Sequence, residues 1–411
     1  MPEQTSHASP SATRQSAERI ASIDVFRGLT VLTMIFVNDV STVRDAPPWL
    51  RHAPAEADAM TLVDLVFPAF LFIVGLALPA AMAPRLAAGP AWRTWGHVLG
   101  RTAGLLILGI FLVNLPQANA QAMGMSEDVW ALGVCLAAVA VWNRYPEARA
   151  AERWLAAVLR CLGIGVLGYL AVRYRGVVDG KVVAMRLQWY GILGLIGWAY
   201  LGCCIVYLSL RRQLGAVIGM LGLLTALNLA DRAGGLEGAV LLKRYLAIGP
   251  MLGGHPSICV AGLVVGLLLS PGSPAATAGA RLRWMLGLAL GLLLAGLLLR
   301  PFHGISKEYA TPAYCLISAS LCCTLYALLY FIVDVRGLKS WARPLAPIGQ
   351  NPLLGYLMPS IFYAAISLWR KDWLELRFPT GAAGLLRAAL FTAVVLAATA
   401  LLGKLRVRLR L

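Results

Sequence analysis

Long apolar runs recur along the whole of this 411-residue chain and limit its fold more than any other feature. A run of roughly 16 to 22 apolar residues can cross the hydrocarbon layer of a membrane as one α-helix. The composition agrees, because 59% of the residues are hydrophobic and only 13% are charged, whereas about 25% of a soluble domain is charged. The sequence therefore predicts an all-α, polytopic membrane helical bundle with about twelve transmembrane helices.

The predicted spans alternate with short connections along the chain. They are residues 25–41, 62–81, 97–115, 129–142, 154–172, 189–209, 214–230, 255–270, 283–300, 313–334, 347–368 and 383–403. An even number of spans leaves both termini on one side of the membrane. The arginine-rich connections fall on that side, which is typical of the cytoplasm. We therefore expect a multi-pass protein of the inner (plasma) membrane with both termini cytoplasmic.

The domain organisation follows from the same pattern. Residues 1–19 are polar and lack an apolar core, so they predict a disordered cytoplasmic tail rather than a signal peptide. Residues 20–403 form the predicted transmembrane domain, and residues 404–411 form a short basic cytoplasmic tail.

The net charge of +17 has a membrane explanation. Lysine and arginine gather in the cytoplasmic loops of membrane proteins, and no basic run with interleaved aromatic residues lies outside the spans. The lipid bilayer is therefore a predicted partner, and nucleic acid is not. The eight cysteines all lie in apolar runs without the spacing of metal ligands, so neither a disulfide nor a metal site is predicted.

Polar groups at the rims of the first two spans frame a loop that carries His52. They are Asp24, Arg27, Asn38, Asp39 and Asp64. Ionisable groups at membrane depth are costly and usually functional, and an imidazole can transfer protons near neutral pH. We predict His52 as the central catalytic residue, with Asn38 and Asp39 beside it.

Two pairs of these residues have a structural as well as a functional interpretation. Asn38 and Asp39 could hold a substrate oxygen or orient the imidazole, or they could simply end the first helix. Asp24 and Arg27 share a helix face at the cytoplasmic rim. They could form an ion pair, or Arg27 could bind the phosphates of a soluble cofactor.

The remaining candidates are predicted to lie in or near a substrate cavity. They are Asp64, His255, His303, Lys307 and Asn351. Asp64 opens the second span and could equally cap that helix. His255 and His303 fall on the same predicted face as His52, although loop histidines are also common at ordinary surfaces.

Several segments together resemble a known family. DVFRGLTVLTMIFVND, WLRHAPAEADAMT and VDLVFPAFLFIVG near the start, and LQWYGILGLIGWAYL, ISKEYATPAY, LLYFIVDVRGL and PIGQNPLLGYL further on, are similar to the lysosomal heparan-α-glucosaminide N-acetyltransferase family and its bacterial relatives. The resemblance covers most of residues 20–368.

This resemblance implies an activity and two site residues. The family moves an acetyl group from cytosolic acetyl-CoA to an amino sugar on the far side of a membrane. Its active histidine corresponds to His52 and its asparagine at the membrane end corresponds to Asn38. Acetyl-CoA is therefore the expected acyl donor, and a small sugar or glycan is the expected acceptor.

The sequence is also compatible with other classes of protein. A transporter for N-acetylglucosamine or a related sugar, coupled to protons through His52, Asp39 or Asp64, would also need many spans with polar groups, although no inverted repeat is visible. A structural scaffold leaves the charges at the rims unexplained. The sequence also leaves open whether the protein forms a homodimer.

Overall fold

A computed structural model describes residues 20–146, 149–211, 213–243, 245–369 and 378–410. Within this part of the chain nearly all regular structure is helical. The α-helices are α1 Ala21–Val40, α2 Leu62–Ala88, α3 Ala91–Asn114, α4 Ala120–Met123, α5 Glu127–Trp142, α6 Ala150–Arg173, α7 Ile192–Leu210, α8 Leu214–Arg232, α9 Val240–Lys243, α10 His255–Leu268, α11 Ala278–His303, α12 Pro312–Tyr330, α13 Ala346–Gln350, α14 Pro352–Trp369 and α15 Gly381–Lys404. The predicted tail over residues 1–19 lies outside the described residues.

Short helical segments extend or connect these helices. A π-helix, Gly249–Gly254, runs directly into α10, and a second, Phe331–Val335, continues α12. Single 3-10 turns occupy Pro48–Leu50 and Leu115–Gln117, and a longer one covers Ser340–Leu345.

The described strands form one small hairpin between α6 and α7. Strand β1, Gly176–Val178, pairs antiparallel with β2, Lys181–Val183. The two linking residues, Asp179 and Gly180, both have positive φ, which is the backbone of a two-residue hairpin turn and is favoured by an Asp-Gly sequence.

The prediction of a polytopic helical bundle is confirmed. Within the described ranges, eleven helical segments are long and apolar enough to cross a membrane. The short predicted span over residues 129–142 is the 16-residue helix α5, which packs against α6: the indole N–H of Trp130 donates to the carbonyl oxygen of Leu170 at 3.0 Å.

Helix α10 is the centre of the bundle, and it packs very closely against α2. A Cβ atom on Gly75 would lie 1.7 Å from the carbonyl oxygen of Cys259, and one on Gly262 would lie 2.0 Å from that of Phe72. Only glycine permits helix backbones to approach this closely. The contact fixes α2, whose first turn carries Asp64.

The segment after α15 packs against the bundle rather than extending away from it. Asn351 donates its side-chain N–H to the carbonyl oxygen of Val407 at 2.8 Å and accepts from the backbone N–H of Leu409 at 3.1 Å. The side-chain oxygen of Asn143 accepts from the backbone N–H of Arg408 at 2.8 Å. The described part of the predicted basic tail, residues 404–410, is thus held against the ends of α5 and α14, and Asn351 has a structural contact there.

Candidate functional site

The imidazole of His52 and the carboxylate of Asp64 form a direct pair. His52 Nδ1 lies 2.6 Å from Asp64 Oδ1. The Asp64 side chain is 1% exposed, whereas that of His52 is 49% exposed. A buried carboxylate that accepts from Nδ1–H fixes the ring orientation and leaves the lone pair on Nε2. The pair therefore has the arrangement of a base and its orienting carboxylate.

Backbone groups hold the Asp64 carboxylate in place. Its Oδ2 atom accepts from the backbone N–H of Ala53 at 3.1 Å and from that of Thr61 at 3.0 Å. The Thr61 contact caps the first turn of α2. The hydroxyl of Tyr314 donates to the backbone carbonyl of Asp64 at 2.7 Å. Asp64 is therefore both a helix cap and the partner of His52, so the two interpretations of this residue are compatible.

Lys307 also contacts the imidazole of His52. Its Nζ atom is 3.2 Å from Nδ1 and 3.4 Å from Nε2 of His52. Because Nδ1 faces Asp64, Nε2 is the ring nitrogen that keeps its lone pair, and the ammonium group of Lys307 lies 3.4 Å from it. Burial lowers the pKa of Lys307 below its usual value of 10.5, and the carboxylates of Glu308 and Asp64 act in the opposite direction.

An ion pair fastens the His52 loop to the end of α11. Arg300 Nε donates to Asp58 Oδ2 at 2.8 Å, and the backbone N–H of Ile305 donates to Asp58 Oδ1 at 2.7 Å. The hydrogen bond from Arg300, helped by that from Ile305, lowers the pKa of Asp58 below its usual 3.8. Asp58 thus ties together two segments that are far apart in sequence.

Further hydrogen bonds run along the same contact. The Ser306 hydroxyl donates to the carbonyl oxygen of Ala55 at 2.8 Å, and the Tyr309 hydroxyl donates to Glu56 at 2.6 Å. Lys307 lies between these two anchors in the sequence. The connection from α11 to α12 is therefore held against the His52 loop, and this contact places Lys307 beside the imidazole.

A cavity of about 370 Å³ lies next to His52. Its polar lining residues are Ser41, Thr42, Arg44, Arg51 and His52, and its apolar lining residues are Val37, Val43, Leu50 and Val63. The volume falls within the usual range of small-molecule sites, about 300 to 1,000 Å³. The cavity offers hydroxyl and guanidinium groups to a polar ligand close to the imidazole.

Asn38 lies in the last turn of α1, beside this cavity but not in its lining. Val37 and Ser41 line the cavity from the same helix face, and Asn38 lies about 100° further round the axis. Its side chain is exposed and makes no hydrogen bond within the described part of the chain. The role of Asn38 stays a prediction.

Asp39 contacts a different set of residues from His52. Its Oδ2 atom lies 3.3 Å from Nη2 of Arg387 in α15, and the hydroxyl of Tyr363 in α14 donates to Oδ1. The side chains of Asp39 and Arg387 are 1% and 4% exposed. These contacts join α1, α14 and α15, so Asp39 has a structural role in the bundle. They do not support the catalytic role predicted for Asp39.

Asp24 and Arg27 form the expected ion pair at the opposite end of α1. Arg27 Nη1 lies 3.1 Å from Asp24 Oδ1 and donates to the carbonyl oxygen of Gly349 at 3.2 Å. At about 1.5 Å of rise per residue, Arg27 is roughly 20 Å along α1 from Val40. Both side chains keep about a fifth of their surface exposed, so phosphate binding stays a prediction.

The two other candidate histidines lie apart from this arrangement. His255 is 6% exposed, at the junction of the π-helix and α10, and its ring packs edge-on against Phe67 at 5.2 Å. Its Nδ1 atom has no hydrogen-bond partner in the described residues. His303 is the last residue of α11 and half-buried. Neither appears among the residues that contact His52 or line the adjacent cavity.

Sequence reasoning missed several residues that shape the site. Asp58, Arg300 and Tyr314 are not among the site residues predicted from the sequence. Asp58 and Arg300 are 242 positions apart, and no local pattern links such residues. The one available signal was the polar segment ISKEY, which precedes α12.

Comparisons with known proteins give a family and two similar named proteins. A family model described as "Domain of unknown function (DUF5009)" matches residues 19–247, more than half of the sequence. The heparan-alpha-glucosaminide N-acetyltransferase of Mus musculus is 33% identical over 107 residues, which is 26% of this chain and 15% of the mouse protein. The protein of the same name from Homo sapiens is 35% identical over 109 residues, 26% of this chain and 16% of its own length. The matched region thus spans about a sixth of these relatives.

Proposed function

This chain belongs to the family described as Domain of unknown function (DUF5009), and from that premise we propose that it is a transmembrane acyltransferase. The proposed reaction moves an acetyl group from cytosolic acetyl-CoA to an amino sugar or related glycan on the periplasmic side of the inner membrane. The observation that carries the proposal is the half-exposed imidazole of His52, oriented by buried Asp64 beside a cavity of about 370 Å³. The names of the similar mouse and human proteins support acetyl transfer.

His52 acts as the general base in this proposal. Its Nε2 atom takes a proton from the acceptor amine while the amine nitrogen attacks the thioester carbonyl. The new C–N bond forms, the C–S bond breaks, and the departing CoA thiolate receives the proton from the imidazole. Asp64 keeps the imidazole in the required tautomer throughout.

Two side chains supply charge stabilisation. Negative charge develops on the carbonyl oxygen during attack, and a donor aimed at that oxygen contributes roughly 3 kcal/mol in comparable sites. Asn38 is the proposed neutral donor, supported by its position at the end of α1 beside the cavity. Lys307 is the proposed cation, supported by the 3.4 Å distance between its Nζ atom and His52 Nε2.

The acceptor is proposed to bind in the cavity beside His52. The hydroxyls of Ser41 and Thr42 and the guanidinium groups of Arg44 and Arg51 line it. Groups of this kind bind the hydroxyl and acidic substituents of sugars.

The donor is proposed to enter from the opposite end of α1, where Arg27 lies. The nucleotide of acetyl-CoA is too highly charged to enter the hydrocarbon layer, so it stays at the membrane surface while its pantetheine arm reaches towards His52. A guanidinium group can bind phosphate, and Arg27 is exposed enough to do so after a change in its contact with Asp24.

Acetyl transfer across sealed vesicles tests the proposal. Purified protein is placed in proteoliposomes, isotopically labelled acetyl-CoA is supplied on one side only, and glucosamine on the other. We expect mass spectrometry to detect labelled N-acetylglucosamine in the glucosamine compartment. If no acetylated product forms with glucosamine or with a mixed panel of amino sugars and glycans, the proposal is wrong.

The same vesicles separate the enzyme from the transporter considered from the sequence. Uptake of N-acetylglucosamine that needs a proton gradient but no acetyl-CoA would favour the transporter. Product that appears only with acetyl-CoA favours the acyltransferase. A parallel measurement of thermal stability, with acetyl-CoA or free sugar added, gives the same distinction without vesicles.

A further inference from the structure

A second and larger cavity lies in the bundle, away from His52. It has a volume of about 860 Å³ and forms a groove between α8 and α11. Its floor is made by Val264 and Leu268 of α10 and Leu316 of α12, all of which are nearly fully buried. The groove therefore reaches the central helix of the bundle from its lipid-facing side.

The two helices that form the walls are mostly exposed to their surroundings. Only 17% of the most apolar stretch of α8 and 22% of that of α11 is buried. The lining of the groove is apolar apart from Thr225, Arg283 and Trp284. In a membrane such a concave apolar surface is open to acyl chains, and filling it recovers packing contacts that an empty groove lacks.

The length of the groove suits an acyl chain. Its lining runs along α11 from Ala280 to Leu299, which is about 28 Å at 1.5 Å per residue. Three glycines in the lining, Gly222, Gly287 and Gly291, have no side chain to fill the groove. A Cβ added at any of them would project into open space, with nothing within 4 Å. An elongated apolar molecule lying along the membrane normal fits this shape.

One end of the groove carries an unpaired positive charge. Arg281, close by, is engaged with the carbonyl oxygen of Ala275 at 3.1 Å and the hydroxyl of Tyr330 at 3.2 Å. Arg283 is exposed and makes no hydrogen bond or ion pair with the described residues. Trp284, next to it, is of the type that lies at membrane–water interfaces. This end therefore offers a guanidinium group at the level of lipid headgroups.

We propose that this groove binds a phospholipid, with an acyl chain between α8 and α11 and its phosphate at Arg283. The charge favours a lipid with a net negative headgroup. Arg283 lies at the start of α11 and Arg300, beside the His52 loop, near its end. The bound headgroup therefore belongs to the leaflet opposite to the His52 site.

Native mass spectrometry of the delipidated full-length protein tests the proposal. The probes are phosphatidylglycerol and phosphatidylcholine with identical acyl chains, added separately. We expect one tightly retained lipid, with phosphatidylglycerol favoured. Gly291→Leu fills the groove and should weaken retention of both lipids about tenfold, since it removes the space for several methylene groups. Arg283→Gln should reduce the preference for phosphatidylglycerol by about 2- to 5-fold.

Matched variants control for general effects on the helices and on surface charge. Gly168→Leu makes the same change on α6 at another open position, and Arg93→Gln removes an exposed arginine beside Trp92 near the start of α3. Both should leave lipid retention unchanged. Equal effects of Gly291→Leu and Gly168→Leu, or of the two arginine variants, would overturn the proposal. The proposal would also be overturned if the protein were a dimer that Gly291→Leu converts to a monomer without loss of lipid. In that case a second copy of the chain, and not a lipid, would occupy the groove.

Discussion

The Nδ1 atom of His52 lies 2.6 Å from Oδ1 of Asp64, and the carboxylate is buried while the imidazole is half-exposed. This difference in exposure matters for chemistry. The orienting group is shielded from water, and the group that would meet a substrate remains accessible. The proposed acyl transfer depends on this arrangement.

Replacing His52 with alanine should abolish acetyl transfer and leave the protein folded. The side chain is half-exposed, so its removal creates little cavity, but it removes the only proposed base. Transfer is measured with labelled acetyl-CoA and folding by the thermal transition in detergent. Partial rescue by added imidazole would support the role as base, and full activity without it would rule the role out.

Asp64→Asn should lower kcat by roughly 10²- to 10⁴-fold with little change in KM. The amide is nearly the same size, but it has one acceptor oxygen where the carboxylate has two. Its N–H₂ group must therefore face either the backbone N–H donors or Nδ1–H of His52, so the side chain no longer fixes the imidazole tautomer. Asp45→Asn is the matched control, because Asp45 is exposed and has a positive φ that asparagine tolerates. Similar losses in the two variants would show that Asp64 has no special part in transfer.

The activity should fall at alkaline pH because of Lys307. Burial lowers the pKa of this lysine below 10.5, so its ammonium loses the proton at a lower pH than a surface lysine does. The charge, and with it the proposed stabilisation, is present below that pKa and is lost as pH rises through it. Lys307→Arg should move the alkaline decline of kcat to higher pH, and Lys307→Met should lower kcat across the whole profile. An unchanged profile in both variants would exclude Lys307 from the reaction.

Asn38→Ala should reduce kcat by about 100-fold without a matching rise in KM, as expected for a donor that acts on the transition state. The side chain is exposed and unbonded in the described structure, so its removal should not lower the thermal transition. A loss smaller than about threefold would mean that Asn38 only ends α1.

The buried pair of Asp39 and Arg387 should govern stability rather than chemistry. Arg387→Leu leaves a buried carboxylate without its cation and should destabilise the protein by about 3 to 5 kcal/mol. A double variant, Asp39→Leu with Arg387→Leu, should recover most of that loss because neither charge remains. The thermal transitions of the single and double variants measure this. A double variant as unstable as the single one would contradict a compensated ion pair.

The sequence predicted the helical framework because apolar length alone determines which segments can cross a membrane. Predicted spans such as 62–81 and 383–403 correspond to Leu62–Ala88 and Gly381–Lys404. The proximity of His52 and Asp64 was also predictable, because His52 lies in the loop that leads into α2 and Asp64 lies in the first turn of that helix.

Contacts between distant segments could not be predicted in the same way. Asp39 follows Asn38 directly, yet it pairs with Arg387, which is 348 positions away. Lys307 was predicted near the cavity, but its contact with the imidazole depends on how α11 and α12 pack. Such pairings arise from tertiary packing, which leaves no periodic signal in one sequence.

The hydrogen bond from Ser306 to Ala55 joins residues 251 positions apart, and this separation has a consequence for biogenesis. During synthesis, α1 and α2 emerge and insert long before α11 and α12 exist. The nascent amino-terminal hairpin therefore carries its histidine without the lysine and the loop anchors that later surround it. A chain arrested before residue 300 would integrate into the bilayer yet remain inert, so the site matures only late in assembly.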